Sequence, residues 1–181
     1  MQFLVYLLLY PIIWCISILP FRLLYLFSDF LYVILYKIIG YRKKTVRDNL
    51  ALALPHLSDK ERLVIEKKSF HHLCDNFLEM AKTMTISEKQ IRKRYVFTNI
   101  EMYSDLEKKG KSVAVMSAHY ASYEWMISMN YYINFQGFGI YKKIANPYFD
   151  KLVRDIRSRF GATLITTKET IPTILKNNAD N

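Results

Sequence analysis

The stretch that best indicates the fold is Val113-Ala-Val-Met-Ser-Ala-His-Tyr-Ala-Ser-Tyr-Glu-Trp125. In it a histidine, His119, and a glutamate, Glu124, lie five residues apart. Within one regular helix, side chains five apart point roughly 140° from each other, so His119 and Glu124 cannot share a proton inside a helix. Residues 113–116 are an apolar run suited to a buried strand, and Ser122 is a candidate N-cap for the helix that follows. The stretch therefore predicts a strand, a turn that carries His119, and a helix that carries Glu124 in its first turn.

This arrangement has a chemical interpretation and a plainer one. Glu124 can accept a hydrogen bond from one imidazole nitrogen of His119, which fixes the tautomer and leaves the other nitrogen free as a general base. Alternatively, His119 is a loop histidine, and Glu124 only favours the positive end of the helix dipole. The spacing does not separate the two, because a two-residue pattern often arises by chance.

The amino-terminal segment, residues 1–41, is almost free of charge. It contains three charged residues, Arg22, Asp29 and Lys37, and eleven aromatic residues. Residues 1–21 carry no charge and are long enough to enter a bilayer, and a prolyl break at Pro20 favours two segments over one straight helix. We expect a membrane anchor with an inserted segment that ends near Pro20 and a second, interfacial segment that lies against the membrane or packs on the first. The alternative is a buried core helix of a soluble protein.

Basic residues follow this segment directly, as Arg42, Lys43, Lys44 and Arg47. The positive-inside rule places the downstream part of the chain on the cytoplasmic side. The formal net charge of +10 favours an anionic surface or substrate. Nucleic acid is not an expected partner, because no recognisable binding motif is present. The histidines and acids around Cys74 have helical i,i+4 spacing, and we expect no metal.

The remaining chain divides by its pattern into a helical segment, residues 42–94, and an α/β segment, residues 95–181. In the first, Ser58 and Ser87 are candidate N-caps for helices over 59–84 and 88–93. The second alternates extended runs with helices. We expect strands at 96–99, 111–117, 138–143 and 162–166, and helices at 102–109, 147–160 and from about 170. This alternation predicts an α/β fold with a mostly parallel sheet flanked by helices.

Several motifs follow one another in order. They are the apolar amino terminus, Tyr41-Arg-Lys-Lys-Thr-Val-Arg-Asp-Asn-Leu50 with Leu54-Pro55 and Ser58, then His72 and Glu79, the block from His119 to Glu124, and Tyr141-Lys-Lys-Ile-Ala-Asn-Pro147 with Arg157-Ser-Arg159. Together they resemble the bacterial lipid A biosynthesis acyltransferases, the late lauroyl or myristoyl transferases, over nearly the whole chain. The His-x4-Asp/Glu block and the Tyr-Arg-x-x-Asn-x block with its later Arg-x-Arg resemble the family's signatures, although Lys142 stands where arginine is more usual.

The resemblance implies a glycerolipid-acyltransferase-like fold. It also implies transfer of a fatty acyl group, without cofactor or metal, from an acyl carrier protein or CoA thioester to a hydroxyl of a lipid A precursor. This reaction would take place at the inner membrane, among membrane lipids, with the catalytic part on the cytoplasmic side. By the same resemblance His119 is the base and Glu124 orients it. The residues expected to bind substrate are Arg157, Arg159, Lys142 and Asn146.

Members of this family also continue beyond the length of this chain, through a strand with a Gly-x-Asp-Gln-type block. We therefore expect residues 95–181 to be the first part of the α/β domain and the sheet to be incomplete. Two alternatives remain open from the sequence. One is a lysophospholipid or other glycolipid acyltransferase, because the motif does not specify the acceptor, and the other is a truncated, non-catalytic lipid-binding protein at the membrane.

Overall fold

The computed structural model describes residues 1–179, which form a mostly helical α/β structure. In chain order the elements are α1 (Gln2–Ile18), α2 (Phe21–Tyr32), a π-helix (Val33–Ile39), α3 (Lys43–Ala53), α4 (Asp59–Lys82), α5 (Glu88–Arg94), α6 (Glu101–Lys108), a 3₁₀-helix (Tyr123–Tyr131), β1 (Phe138–Tyr141), α7 (Pro147–Ser158), β2 (Thr163–Thr166) and α8 (Thr170–Ala179). The predicted helices over 59–84, 88–93, 102–109 and 147–160 are confirmed within a few residues.

The long helix α4 is the element against which α1, α2 and α3 pack. It begins with a capping box, in which Ser58 Oγ accepts from the backbone N–H of Glu61 and the Glu61 carboxylate accepts from the N–H of Ser58 at 2.7 Å. Farther along, buried Glu66 accepts from Arg47 of α3 at 2.8 Å and from Tyr36 of the π-helix at 3.0 Å. These bonds tie the π-helix and α3 to α4.

The end of α4 also closes the end of α1. The buried ammonium of Lys82 donates to the carbonyls of Ser17 and Leu19, at 2.8 and 2.7 Å. Because the last carbonyls of a helix lack partners within it, this lysine satisfies groups that burial would otherwise leave unpaired. Helix α1 ends at Ile18 and α2 begins at Phe21, so the predicted break at Pro20 is confirmed.

The helices of the amino-terminal segment are apolar but short or bent. Within residues 1–179, no helix taken alone is both long and apolar enough to cross a membrane. The segments Phe21–Ile39 and Lys43–Ala53, which meet at a bend of 95°, are together long and apolar enough to do so. Helix α1 is apolar but shorter.

The sheet in the described part of the chain has two strands, β1 and β2, which pair in parallel with Phe138 opposite Thr163. The predicted strands at 138–143 and 162–166 are thereby confirmed in shortened form. The strands predicted at 96–99 and 111–117 are wrong for this structure, since neither segment is extended in a ladder. Met116 is 92% exposed. An apolar run becomes a strand only when a neighbour satisfies its backbone groups, and 111–117 has no such neighbour among residues 1–179.

Helix α7 links the amino terminus to the sheet. Pro147 starts it, and the side chain of Asn146 caps it by accepting from the N–H of Tyr148 at 3.0 Å. The ring of Tyr148 lies 5.1 and 5.6 Å from the rings of Phe3 and Tyr6 in α1. One end of α7 is thus held against α1, and the opposite end leads into β2.

A small core lies where the α4–α5 junction, the 3₁₀-helix and the end of α7 meet. Its fully buried members are Ile86, Ile91, Trp125 and Phe160. The chain leaves α7 through Gly161, whose φ of 90° is a left-handed conformation that glycine adopts without strain. This core fixes the two elements that carry the candidate site, the 3₁₀-helix and α7.

Candidate active site

Glu124 lies in the first turn of the 3₁₀-helix, as predicted, although the helix is not an α-helix and Ser122 makes no side-chain capping bond. The neighbouring Trp125 is buried, and its indole N–H donates to Thr83 Oγ at 3.0 Å. Ala121, just before the helix, has a φ of 51°, which is uncommon for a residue with a side chain. The turn is therefore sharply bent and anchored on its far side to α4.

The partner of Glu124 in the structure is Arg157, from the last turn of α7. The arginine Nε donates to one carboxylate oxygen at 2.8 Å, and an Nη donates to the other, so the pair is bidentate. The exposed fraction is 9% for the Glu124 side chain and 26% for Arg157. Burial alone would lower the pKa of the Arg157 guanidinium, but the bonds and charge of Glu124 outweigh that effect and raise it.

His119 is exposed in the segment that precedes the turn. Its ring centroid lies 4.4 Å from that of Tyr123, tilted by 48°. Within residues 1–179 the structure has no hydrogen bond between His119 and Glu124; the guanidinium of Arg157 donates to both carboxylate oxygens instead. The contact expected from the sequence is replaced by one with Arg157, while the catalytic roles themselves stay predictions.

The other predicted substrate-binding residues are dispersed. Arg159 donates to the backbone carbonyls of Thr83 and, at 3.2 Å, Ile86, so it ties α7 to the α4–α5 junction. Asn146 caps α7, and Lys142 is exposed directly after β1. The structure thus unites Glu124 with Arg157, and the substrate-binding roles of all four residues stay predictions.

An open cavity of about 610 Å³ is lined in part by Ser122 and Trp125, which flank Glu124 within two residues along the chain. Its lining comes from α2, α4, α5 and the turn, and comprises Phe21, Tyr25, Glu79, Gln90, Lys93, Arg94, Ser122 and Trp125. The sequence did not predict this cavity. In the sequence Glu79 stands out only as one of the motif residues that resemble the family, whereas in the structure it is buried and accepts from Tyr25 at 2.7 Å.

Glu124 and Arg157 come from the two sequence blocks that resemble one family, and the match to a family covers both blocks. The sequence profile of the bacterial lipid A biosynthesis acyltransferases matches residues 1–179. The chain belongs to this family. This family member is 21% identical over 158 residues to the lipid A biosynthesis lauroyltransferase of Escherichia coli strain K12, a match that covers 87% of the chain and 51% of that relative. It therefore spans about half the length of the curated relative, and no solved structure matches it.

Proposed function

We propose that this chain takes part in transfer of a fatty acyl group from an acyl carrier protein thioester to a hydroxyl of a lipid A precursor at the inner membrane. The bidentate pair of Glu124 and Arg157 carries this proposal. It joins, across 33 residues, the two sequence blocks that the family resemblance assigns to one active site. It also holds the Arg157 guanidinium next to Glu124, five residues after His119 along the chain.

The proposed reaction is general-base catalysis of acyl transfer. An imidazole nitrogen of His119 takes the proton of the acceptor hydroxyl as its oxygen attacks the thioester carbonyl carbon. The carbon–sulfur bond of the tetrahedral intermediate then breaks, and the departing thiolate receives the proton from the imidazolium. A guanidinium close to the carbonyl stabilises the negative charge that forms on its oxygen.

Because Arg157 is paired with Glu124, substrate binding would also free Glu124 to contact His119. An anionic substrate group that contacts Arg157 competes with Glu124 for the same N–H donors. When the guanidinium turns to that group, the carboxylate is released to accept from His119 and stabilise its protonated form.

Features of the amino terminus support the proposed location. Many apolar side chains of α1 are exposed, including Leu8 at 71% and Ile12 at 55%. The basic residues Arg42, Lys43 and Lys44 follow 41 residues with only three charges. Such a combination favours an apolar phase next to anionic headgroups, with residues 95–181 on the cytoplasmic side.

The test is made in cells, by mass spectrometry of lipid A. Deletion of the gene should remove the mass of one acyl chain from lipid A, and the wild-type gene should restore it. A His119→Ala allele should not restore it, because loss of a general base slows transfer by roughly 10²–10⁴-fold. The matched control is His56→Ala, another exposed histidine, which should restore it fully.

Two results would contradict the proposal. If deletion leaves the lipid A spectrum unchanged while the masses of other lipids shift, the acceptor is a different lipid. If His119→Ala restores acylation as well as wild type does, His119 is not the base.

A further inference from the structure

The cavity beside the turn contains a buried acceptor without a partner. Glu79 is 6% exposed, and its Oε1 accepts from the Tyr25 hydroxyl, but its buried Oε2 has no hydrogen-bond partner within residues 1–179. A buried acceptor left unpaired is costly, and folded proteins satisfy nearly all such groups. A ligand that offers a hydroxyl or amide N–H would satisfy this oxygen.

The same cavity has two exposed cations on its rim, Lys93 and Arg94 of α5. The Arg94 guanidinium lies over the ring of Phe21, 3.4 Å from its centroid. This stacking holds it at the cavity wall. In the part of the chain that the structure describes, neither cation takes part in a salt bridge, whereas their neighbour Arg92 pairs with Glu88. Both positive charges are therefore available to an anionic group.

Three aromatic side chains also line the cavity: Phe21, Tyr25 and buried Trp125. Aromatic side chains cover the carbon face of a small ring while leaving its polar edge free. The volume, about 610 Å³, is within the usual range for small-ligand sites. The features together describe a ligand with an anionic end, hydrogen-bond donors and a compact ring.

We propose that this cavity binds the phosphorylated sugar of the acyl acceptor. Lys93 and Arg94 contact the phosphate, Glu79 Oε2 accepts from a sugar hydroxyl or amide, and the part-buried ring of Tyr25 flanks the sugar. The proposal rests on the proposed function for the identity of the acceptor. Ser122, which lines the cavity, is three residues from His119 along the turn, so a sugar in the cavity lies beside the segment that carries the base.

The direct test is equilibrium binding to the 181-residue chain in detergent, monitored by NMR. The probes are N-acetylglucosamine 1-phosphate, inorganic phosphate and N-acetylglucosamine. We expect saturable binding of the sugar phosphate, tighter than that of either part alone. Lys93→Ala should weaken both phosphate-bearing probes roughly tenfold, since a charge-assisted contact is lost. Lys89→Ala, which removes an equal charge four residues earlier on α5, should change binding less than twofold.

Glu79→Gln separates the sugar contact from the phosphate contact. The amide keeps the size of the side chain and still accepts from Tyr25, but it puts a donor where the free acceptor was. We expect about tenfold weaker binding of the sugar phosphate, with inorganic phosphate bound at least as tightly as before. The proposal is overturned if the sugar phosphate binds no better than inorganic phosphate, or if Lys93→Ala and Lys89→Ala have equal effects.

Failure of this site is distinguishable from failure of the proposed function. If His119→Ala abolishes lipid A acylation but the sugar phosphate does not bind, the function stands and the cavity assignment falls. If the sugar phosphate binds as expected but gene deletion leaves lipid A unchanged, the cavity is a sugar-phosphate site and the acyltransfer proposal falls.

Discussion

Replacement of Arg157 by alanine tests the ion pair that joins the 3₁₀-helix to α7. The change leaves the Glu124 carboxylate, whose side chain is 9% exposed, without its countercharge and without two hydrogen bonds. Breaking a buried ion pair by removing one partner costs about 3–5 kcal/mol of folding free energy. Because the Arg157 side chain is 26% exposed, we expect a cost near the lower end of that range, about 3 kcal/mol. For a chain of this size the loss corresponds to a fall in Tm of roughly 6–12 °C.

The assay is thermal unfolding in detergent followed by near-ultraviolet circular dichroism, to which buried Trp125 contributes. Arg154→Ala is the matched control, because it removes an exposed arginine one turn earlier on α7 and should change stability by less than about 0.5 kcal/mol. A double-mutant cycle with Glu124→Gln should give a coupling of roughly 1–3 kcal/mol. Additive effects of the two single replacements would refute the reasoning, since two residues that act through one ion pair cannot be independent.

Three further outcomes are expected. Ser58→Ala removes the capping box of α4 and should lower the free energy of unfolding by about 1 kcal/mol in urea titration. Burial by itself raises the pKa of the Glu66 carboxyl, but the hydrogen bonds from Arg47 and Tyr36 lower that pKa overall. The stabilisation that ionised Glu66 provides is therefore present above its ordinary pKa of 4.5 and is lost as the pH falls through the pKa of the folded state. The stability advantage of wild type over Glu66→Gln should therefore shrink below pH 4.5, and a constant difference would contradict this. Gly161→Ala puts a side chain at a φ of 90° and should cost roughly 1–2 kcal/mol, measured by thermal melting.

The elements that the sequence predicted well are those set by local rules. Ser58 and Ser87 start helices because each has a Glu or Gln three residues later, which completes a capping box. Pro147 and Gly161 bracket α7 because one fixes φ for the first helical turn and the other adopts a left-handed φ at its end. Such signals act over three or four residues, so they are legible without the tertiary structure.

The features that the sequence did not predict depend on distant parts of the chain. The apolar run 113–116 has strand-like composition, but a strand also needs a neighbour, and β1 and β2 pair with each other. Likewise, the spacing of His119 and Glu124 could not show that a guanidinium 33 residues farther on takes both carboxylate oxygens. Periodicity on α7 shows that Arg157 and Arg159 diverge, but only the packed core determines which one meets Glu124.

Helix α7 is a rigid connection between α1 and the 3₁₀-helix. Its first turn is fixed to the aromatic face of α1 through Tyr148, and Arg157 lies nine residues farther along, about 14 Å at the rise of an α-helix. The length of α7 therefore sets the distance between α1 and the Arg157 guanidinium. Shortening or lengthening α7 by a single residue would rotate Arg157 by about 100° and separate the charge from its carboxylate without altering either side chain.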